Sequence, residues 1–211
     1  MRFRLSVFFV VLALIATACS SGGSAGGATE APECVVNATA LAKLTENSPS
    51  LRPDDGGRVR TGTIAPDFAL CDADGNVVQL SALEGQPVLL IFWASWCPFC
   101  AVELPTLDVI AKQLPSNLVV LTVATLDDPQ AAWNDYREKG YQFQTVFDTA
   151  NTVSDRYSLR GVPLAIFIDA DGIVVGQIYG EAHFDKDNCF RQLERFARGE
   201  VSSIVTAYCR R

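Results

Sequence analysis

From residue 64 onward the chain alternates short apolar runs with longer amphipathic ones. Residues 88–93 (VLLIFW) and 118–123 (LVVLTV) are apolar at nearly every position, as expected of strands covered on both faces. Residues 98–114 place Leu107, Ile110 and Leu114 on one stripe, which predicts a helix. Pro105 falls inside it and is predicted to kink it, because the ring clashes with the preceding turn. A second helix is predicted over 129–139, stopped by Gly140. A short strand follows at 143–147 and a short helix at 152–157. Strands at 164–169 and 173–179 flank Asp171-Gly172, a strong hairpin signal. Strands at 67–71 and 76–80 flank Ala73-Asp74-Gly75 and predict another hairpin. The last helix is predicted over 188–198, ending at Gly199. This alternation predicts an α/β layer fold: a central sheet, made mixed by its final hairpin, with helices on both faces. Upstream, 33–47 predicts a short helix, and 48–63, rich in Pro, Gly, Asp and Arg, a loop.

The first 18 residues follow a different rule. Arg2 and Arg4 precede a continuous apolar run from Leu5 to Ala16. That run has signal-segment length and falls short of the roughly 20 residues a membrane-spanning helix needs. Ile15-Ala16-Thr17-Ala18-Cys19 resembles a bacterial lipoprotein cleavage box, although Ala16 stands where that box prefers Leu. The resemblance implies cleavage before Cys19 and lipidation of that residue. The SSGGSAGGA run that follows reads as a flexible tether. The expected organisation is a signal peptide at 1–18, a lipid-anchored linker at 19–32 and an N-terminal extension at 33–61. The main domain at 62–200 and a tail at 201–211 complete it. The expected location is outside the cytoplasm, anchored to a bacterial cell membrane through Cys19. No second apolar span of membrane length and no internal repeat is visible.

Composition narrows the function. The 211 residues carry 17 Lys and Arg against 24 Asp and Glu, a formal charge of −7. An acidic chain argues against nucleic acid as a partner, because phosphates demand basic grooves. Seven Cys beside one Met and one His point to disulfide or thiol chemistry outside the cytoplasm.

The sharpest feature is Trp93-Ala94-Ser95-Trp96-Cys97-Pro98-Phe99-Cys100. It sits where an apolar strand ends and a helix begins. A Cys97 thiolate there would face unpaired N–H groups and the positive end of the helix dipole, both of which lower a thiol pKa. Pro98 suits the first helical turn, where its missing N–H is not needed. Cys100, one turn further in, is expected to be shielded. The expected chemistry is a Cys97–Cys100 disulfide in which an exposed Cys97 exchanges with a partner and Cys100 resolves the mixed disulfide. A zinc site would need a second close ligand pair, which the sequence does not offer; neither metal nor cofactor is expected.

LLIFWASWCPFC, with Glu103 and Pro105 after it, resembles the thioredoxin superfamily, and within it the TlpA/ResA/DsbE group of extracytoplasmic thiol–disulfide oxidoreductases. Ala65-Pro66-Asp67-Phe68-Ala69-Leu70 and the hairpin behind it match that group's N-terminal β-hairpin extension. Arg160-Gly161-Val162-Pro163 matches its cis-proline loop. The likeness spans about residues 62–200 and implies a thioredoxin-like fold. It also implies a cis Pro163 opposite the Cys pair, with the Val162 backbone free to pair with an extended substrate. Ile91 occupies the place of the buried Asp of thioredoxins. That leaves Glu103, three residues after Cys100, as the candidate for proton transfer. Trp96, Pro98, Phe99 and Val162 are the expected substrate-binding residues. Pro98 and Val162 resemble the oxidising DsbA type, so the reading leans to an oxidase of secreted or membrane protein thiols served by a membrane redox partner. A reductase in cytochrome c maturation is the alternative. An alternative of another class, a copper metallochaperone resembling Sco proteins, would use Cys97, Cys100 and His183, but Sco motifs space their cysteines by three residues. Residues 65–68 also suggest a peroxidase, yet Ala94 stands where peroxiredoxins carry Thr.

Besides Cys19, four cysteines lie outside the motif and allow three pairings. Cys189 lies ten residues before Gly199 and Cys209 ten after. Two helical arms of about 15 Å would bring them level, so Cys189–Cys209 is favoured. Cys34–Cys71 follows by elimination.

Overall fold

The computed structural model describes residues 59–200 with 207, 209 and 210. The expected signal segment, the lipid site Cys19, the linker, the helix at 33–47 and Cys34 lie outside the described residues.

Seven strands form one mixed sheet in the order β2-β1-β5-β4-β3-β6-β7. In chain order they are β1 (Ala69–Asp72), β2 (Val77–Gln79), β3 (Val88–Trp93), β4 (Val119–Ala124), β5 (Gln144–Phe147), β6 (Leu164–Ile168) and β7 (Val174–Tyr179). The helices are α1 (Pro98–Ala111), α2 (Pro129–Lys139), α3 (Thr152–Arg156) and α4 (Asp187–Ala197). A 3₁₀ turn at Leu80–Leu83, not anticipated from sequence, follows β2. The centre β5-β4-β3 is parallel, while β6, β7, β1 and β2 join antiparallel. The sequence resembles a thioredoxin-like chain, and the fold is thioredoxin-like, with the β1–β2 hairpin extending the sheet beyond β5.

Period-two alternation along β3 divides the core. Leu89, Ile91 and Trp93 join α1 (Leu104, Leu107), α2 (Trp133) and α4 (Leu193, Phe196) on one face. Val88, Leu90 and Phe92 join α3 (Val153), Tyr157 and Phe68 on the other. All six β3 side chains are buried. Each such Leu, Phe or Val stabilises the fold by about 1.5–3 kcal/mol relative to exposure.

The turn chemistry follows the local sequence. Asp128 caps α2 by accepting from the Ala131 N–H at 2.8 Å. Gly140 ends α2 at φ 66°, a left-handed conformation that glycine adopts without steric cost. Between β6 and β7, Asp169 Oδ1 accepts from the N–H groups of Asp171 and Ile173, and Gly172 sits at φ 78°. Helix α1 runs through Pro105 and ends at Ala111, short of the expected residue 114, because residues 112–114 form a turn.

Candidate active site

Strand β3 stops at Trp93, and α1 begins five residues later at Pro98. The connecting turn is fixed from outside. The Cys97 N–H donates to the Ala94 carbonyl at 3.2 Å, and the Thr125 N–H to the Trp93 carbonyl at 3.0 Å. The Ser95 N–H donates to Asp127 Oδ2 at 2.5 Å, and Trp96 Nε1 to the Leu126 carbonyl at 2.8 Å. Behind Leu126, Asn151 Oδ1 accepts the Leu126 N–H at 2.9 Å. The turn is therefore held by the segment after β4, which is in turn tied to the start of α3.

Cys97 is the N-cap of α1, with Pro98 in the first turn. It is disulfide-bonded to Cys100, and the Cys100 N–H donates to Cys97 Sγ at 3.1 Å. A sulfur at this position meets an orphan donor of the helix start and the positive end of the helix dipole. On the other side the Val162–Pro163 peptide bond is cis, and the Val162 carbonyl oxygen lies 3.6 Å from Cys97 Sγ.

One expectation is corrected here. Cys97 is 2% exposed and Cys100 1%, so the first cysteine is not the open thiol foreseen. Bonded to Cys100, its sulfur is drawn under the Val162 carbonyl. Its neighbours Trp96 and Phe99 are instead exposed, at 60% and 57%. The asymmetry of the pair lies in position: Cys97 caps the helix and touches the proline loop, while Cys100 sits one turn inside.

Glu103 lies on the buried side of α1, 2% exposed. Its Oε2 accepts from the Ala182 N–H at 3.0 Å. Its Oε1 meets no donor among the described residues. Burial, with a smaller push from the Glu181 charge and against the pull of the Ala182 hydrogen bond, raises its pKa to about 8. Desolvation disfavours the charged form, so this carboxyl keeps its proton at neutral pH.

Cys189 is disulfide-bonded to Cys209, with Cα atoms 4.7 Å apart. Cys71 is also disulfide-bonded, and its expected partner Cys34 lies outside the described residues. His183 Nδ1 is 4.0 Å from Glu181 Oε1. Among the described residues no three His, Cys, Asp or Glu side chains converge as metal ligands, so Cys97, Cys100 and His183 do not form the set a copper chaperone would need.

The sequence reading missed Asp127, Leu126 and Asn151, which brace the turn, and the Ala182 amide, which holds Glu103. Only the Asp127-Asp128-Pro129 run carried a visible signal, and it marked a helix start. The other contacts join residues at least 25 apart in the chain and leave no local trace.

Strand, cysteine-capped helix and cis-proline loop define a thioredoxin-like thiol–disulfide oxidoreductase. Residues 61–177 match the AhpC/TSA family, and the chain belongs to it. The thiol-disulfide oxidoreductase ResA of Bacillus subtilis is 31% identical over 123 residues, which are 58% of this chain and 69% of that one. The crystal structure of a Chlorobium tepidum protein named as a thiol:disulfide interchange protein DsbE superposes with a TM-score of 0.56. It is 30% identical and covers 64% of this chain and 95% of its own. The exposed lipoprotein thioredoxin Etrx1 of Streptococcus pneumoniae is 32% identical with a TM-score of 0.55, covering 61% of this chain and 98% of its own. The enzyme is thus of the ResA/DsbE type and carries a Cys97–Cys100 pair.

Proposed function

We propose that the protein is an extracytoplasmic disulfide exchanger, lipid-anchored through Cys19, that works in the oxidase direction on thiols of secreted or membrane proteins. The single observation that carries the chemistry is the Cys97–Cys100 disulfide at the mouth of α1, with the Val162 carbonyl 3.6 Å from Cys97 Sγ. A substrate thiolate attacks Cys97 Sγ, the Cys97–Cys100 bond breaks, and Cys100 leaves as a thiolate. Glu103, protonated at neutral pH because burial holds its pKa near 8, delivers the proton that neutralises Cys100. A second substrate thiolate attacks the substrate sulfur of the mixed disulfide and releases Cys97 as a thiolate. The Cys100 N–H and the helix dipole stabilise that anion. The substrate leaves with a disulfide, and a membrane redox partner accepts the two electrons when it reoxidises the pair.

The Val162 backbone aligns an extended substrate, and Trp96 and Phe99, exposed beside the disulfide, with Pro98 form an apolar landing surface. Pro98 and Val162 support the oxidase direction through their likeness to the oxidising type. The lipid anchor rests on the signal-like residues 1–18, the box ending at Cys19 and the Gly/Ser run. A similar pneumococcal protein is named an exposed lipoprotein. Among the described residues no helix is long and apolar enough to cross a membrane. In this organisation residues 19–32 tether the domain at 62–200.

The test is partner trapping with Cys100→Ala in the full chain. Mixed disulfides should accumulate on Cys97, and the trapped proteins should be folding substrates whose cysteines become disulfide-bonded in cells carrying the intact enzyme. Trapped partners that instead lose disulfides, such as apocytochromes, would reverse the direction. Failure of Cys100→Ala to trap anything while Cys97→Ala retains exchange activity would overturn the role of Cys97.

A further inference from the structure

The second disulfide shares an apolar cluster with the first. Cys189, on α4, and Cys209 are both fully buried, in the same apolar cluster as Cys97 and Cys100. The carbonyl of Cys209 accepts the His183 N–H at 2.9 Å. His183 belongs to the segment 180–183 that leaves β7, and the preceding residue, Ala182, donates its N–H to Glu103 Oε2. The other end of the segment is held by the Gly180 N–H, which donates to the Pro163 carbonyl at 2.9 Å. One short stretch therefore touches the cis-proline loop, the Glu103 carboxyl and the disulfide-bonded Cys209. Ala182 is itself buried, 4% exposed, and covers the carboxyl.

We infer that the Cys189–Cys209 disulfide is a positioning element of the active site: through Cys209 it clamps the segment 180–183 over Glu103 and holds that carboxyl dry and in register with Cys100. The inference rests on the reading of Glu103 as the proton donor for its mechanistic meaning, but the clamp itself is a separate physical statement. Among the described residues the charged group whose field acts on Glu103 is Glu181, whose Oε1 lies 4.0 Å from His183 Nδ1; both residues ride on the clamped segment. Releasing the clamp has two opposed consequences. Loss of the Ala182 N–H would favour the protonated acid. Entry of water would favour the anion, and it prevails because desolvation is the largest cause of the raised value.

The experiment replaces the pair, Cys189→Ala with Cys209→Ala, in the full chain. It follows the protonated-carboxyl infrared band of Glu103, identified by its disappearance in Glu103→Gln. The midpoint of that band should fall from about 8 toward the ordinary carboxylate range, and amide exchange at Ala182 and His183 should accelerate at least tenfold. An unchanged midpoint with intact folding would overturn the clamp. A lowered midpoint together with an unaltered pH profile of disulfide exchange would uphold the clamp and overturn the proton-donor reading. Should the double variant fail to fold, reciprocity supplies the second arm, because coupling between two sites acts equally in both directions. Glu103→Ala should make Cys189–Cys209 reducible at a severalfold lower ratio of reduced to oxidised dithiothreitol, read by mass of the alkylated peptides. An unshifted ratio would overturn the inference.

Discussion

Two carboxylates are buried to the same depth on the two sides of the site, and the structure treats them oppositely. Asp148, after β5, is 3% exposed, and Glu103, on α1, is 2% exposed. Asp148 accepts from the Ser154 N–H at 2.8 Å, the Val153 N–H at 3.2 Å, the Thr125 hydroxyl at 3.0 Å and the Thr152 hydroxyl at 3.4 Å. Glu103 accepts one bond, at 3.0 Å, and leaves Oε1 unmatched among the described residues. Burial alone therefore does not decide what a carboxyl does; the supply of donors does. Asp148 supplies acceptors at the start of the five-residue α3 and braces the segment that carries Leu126. Glu103 holds a proton that a better-solvated acid would have lost.

Breaking the well-supplied member should have the largest effect. Asp148→Ala leaves two helix-start N–H groups and the Thr152 hydroxyl without their acceptor, while the Thr125 hydroxyl keeps only Asn151 Oδ1 at 3.3 Å, and should cost about 2–4 kcal/mol of stability. Urea unfolding checks this. The loss should carry to the site as a more mobile Trp96, whose Nε1 anchors to Leu126 and whose fluorescence reports its surroundings. Asp148→Ala with the stability of the wild type would dissolve the contrast.

The poorly supplied member should respond with the opposite sign. The folded pKa of Glu103 is raised from 4.5 to about 8. Between these values the native state binds more protons than the unfolded chain, so this group makes stability fall as pH rises through that window. Glu103→Gln, which is never charged, should remove that part of the slope. At pH 9 it should be more stable than the wild type by about 1–3 kcal/mol, and at pH 4 it should show no such gain. Urea midpoints at the two pH values decide the matter.

The same contrast shows what the sequence could and could not disclose. Strands 88–93 and 118–123 announced themselves as unbroken apolar runs, and the hairpin at Asp171-Gly172 carried its own turn residues. Cys97 and Cys100 were legible because their chemistry depends on local spacing, and so was Glu103 one turn further on. Its burial was not legible, since it comes from a segment 79 residues away. Nor was the cover over Cys97, which the Val162 carbonyl supplies from 65 residues away. Asp148 escaped notice because an acid before a short helix reads as an ordinary polar loop residue until its donors are seen.

The smallest expected effect sharpens the comparison most. Thr125→Val removes one hydroxyl from Asp148 while keeping the side chain's shape. The carboxylate retains the Val153 and Ser154 N–H groups, so it remains satisfied on both oxygens. The cost should be about 1 kcal/mol, that of a single hydrogen bond in a network that still has others. If donor supply is what holds Asp148, this loss should be well below that of Asp148→Ala in urea unfolding, because both N–H donors remain. A loss as large as that of Asp148→Ala would mean that the Thr125 hydroxyl alone, rather than the full set of donors, holds the carboxylate in place.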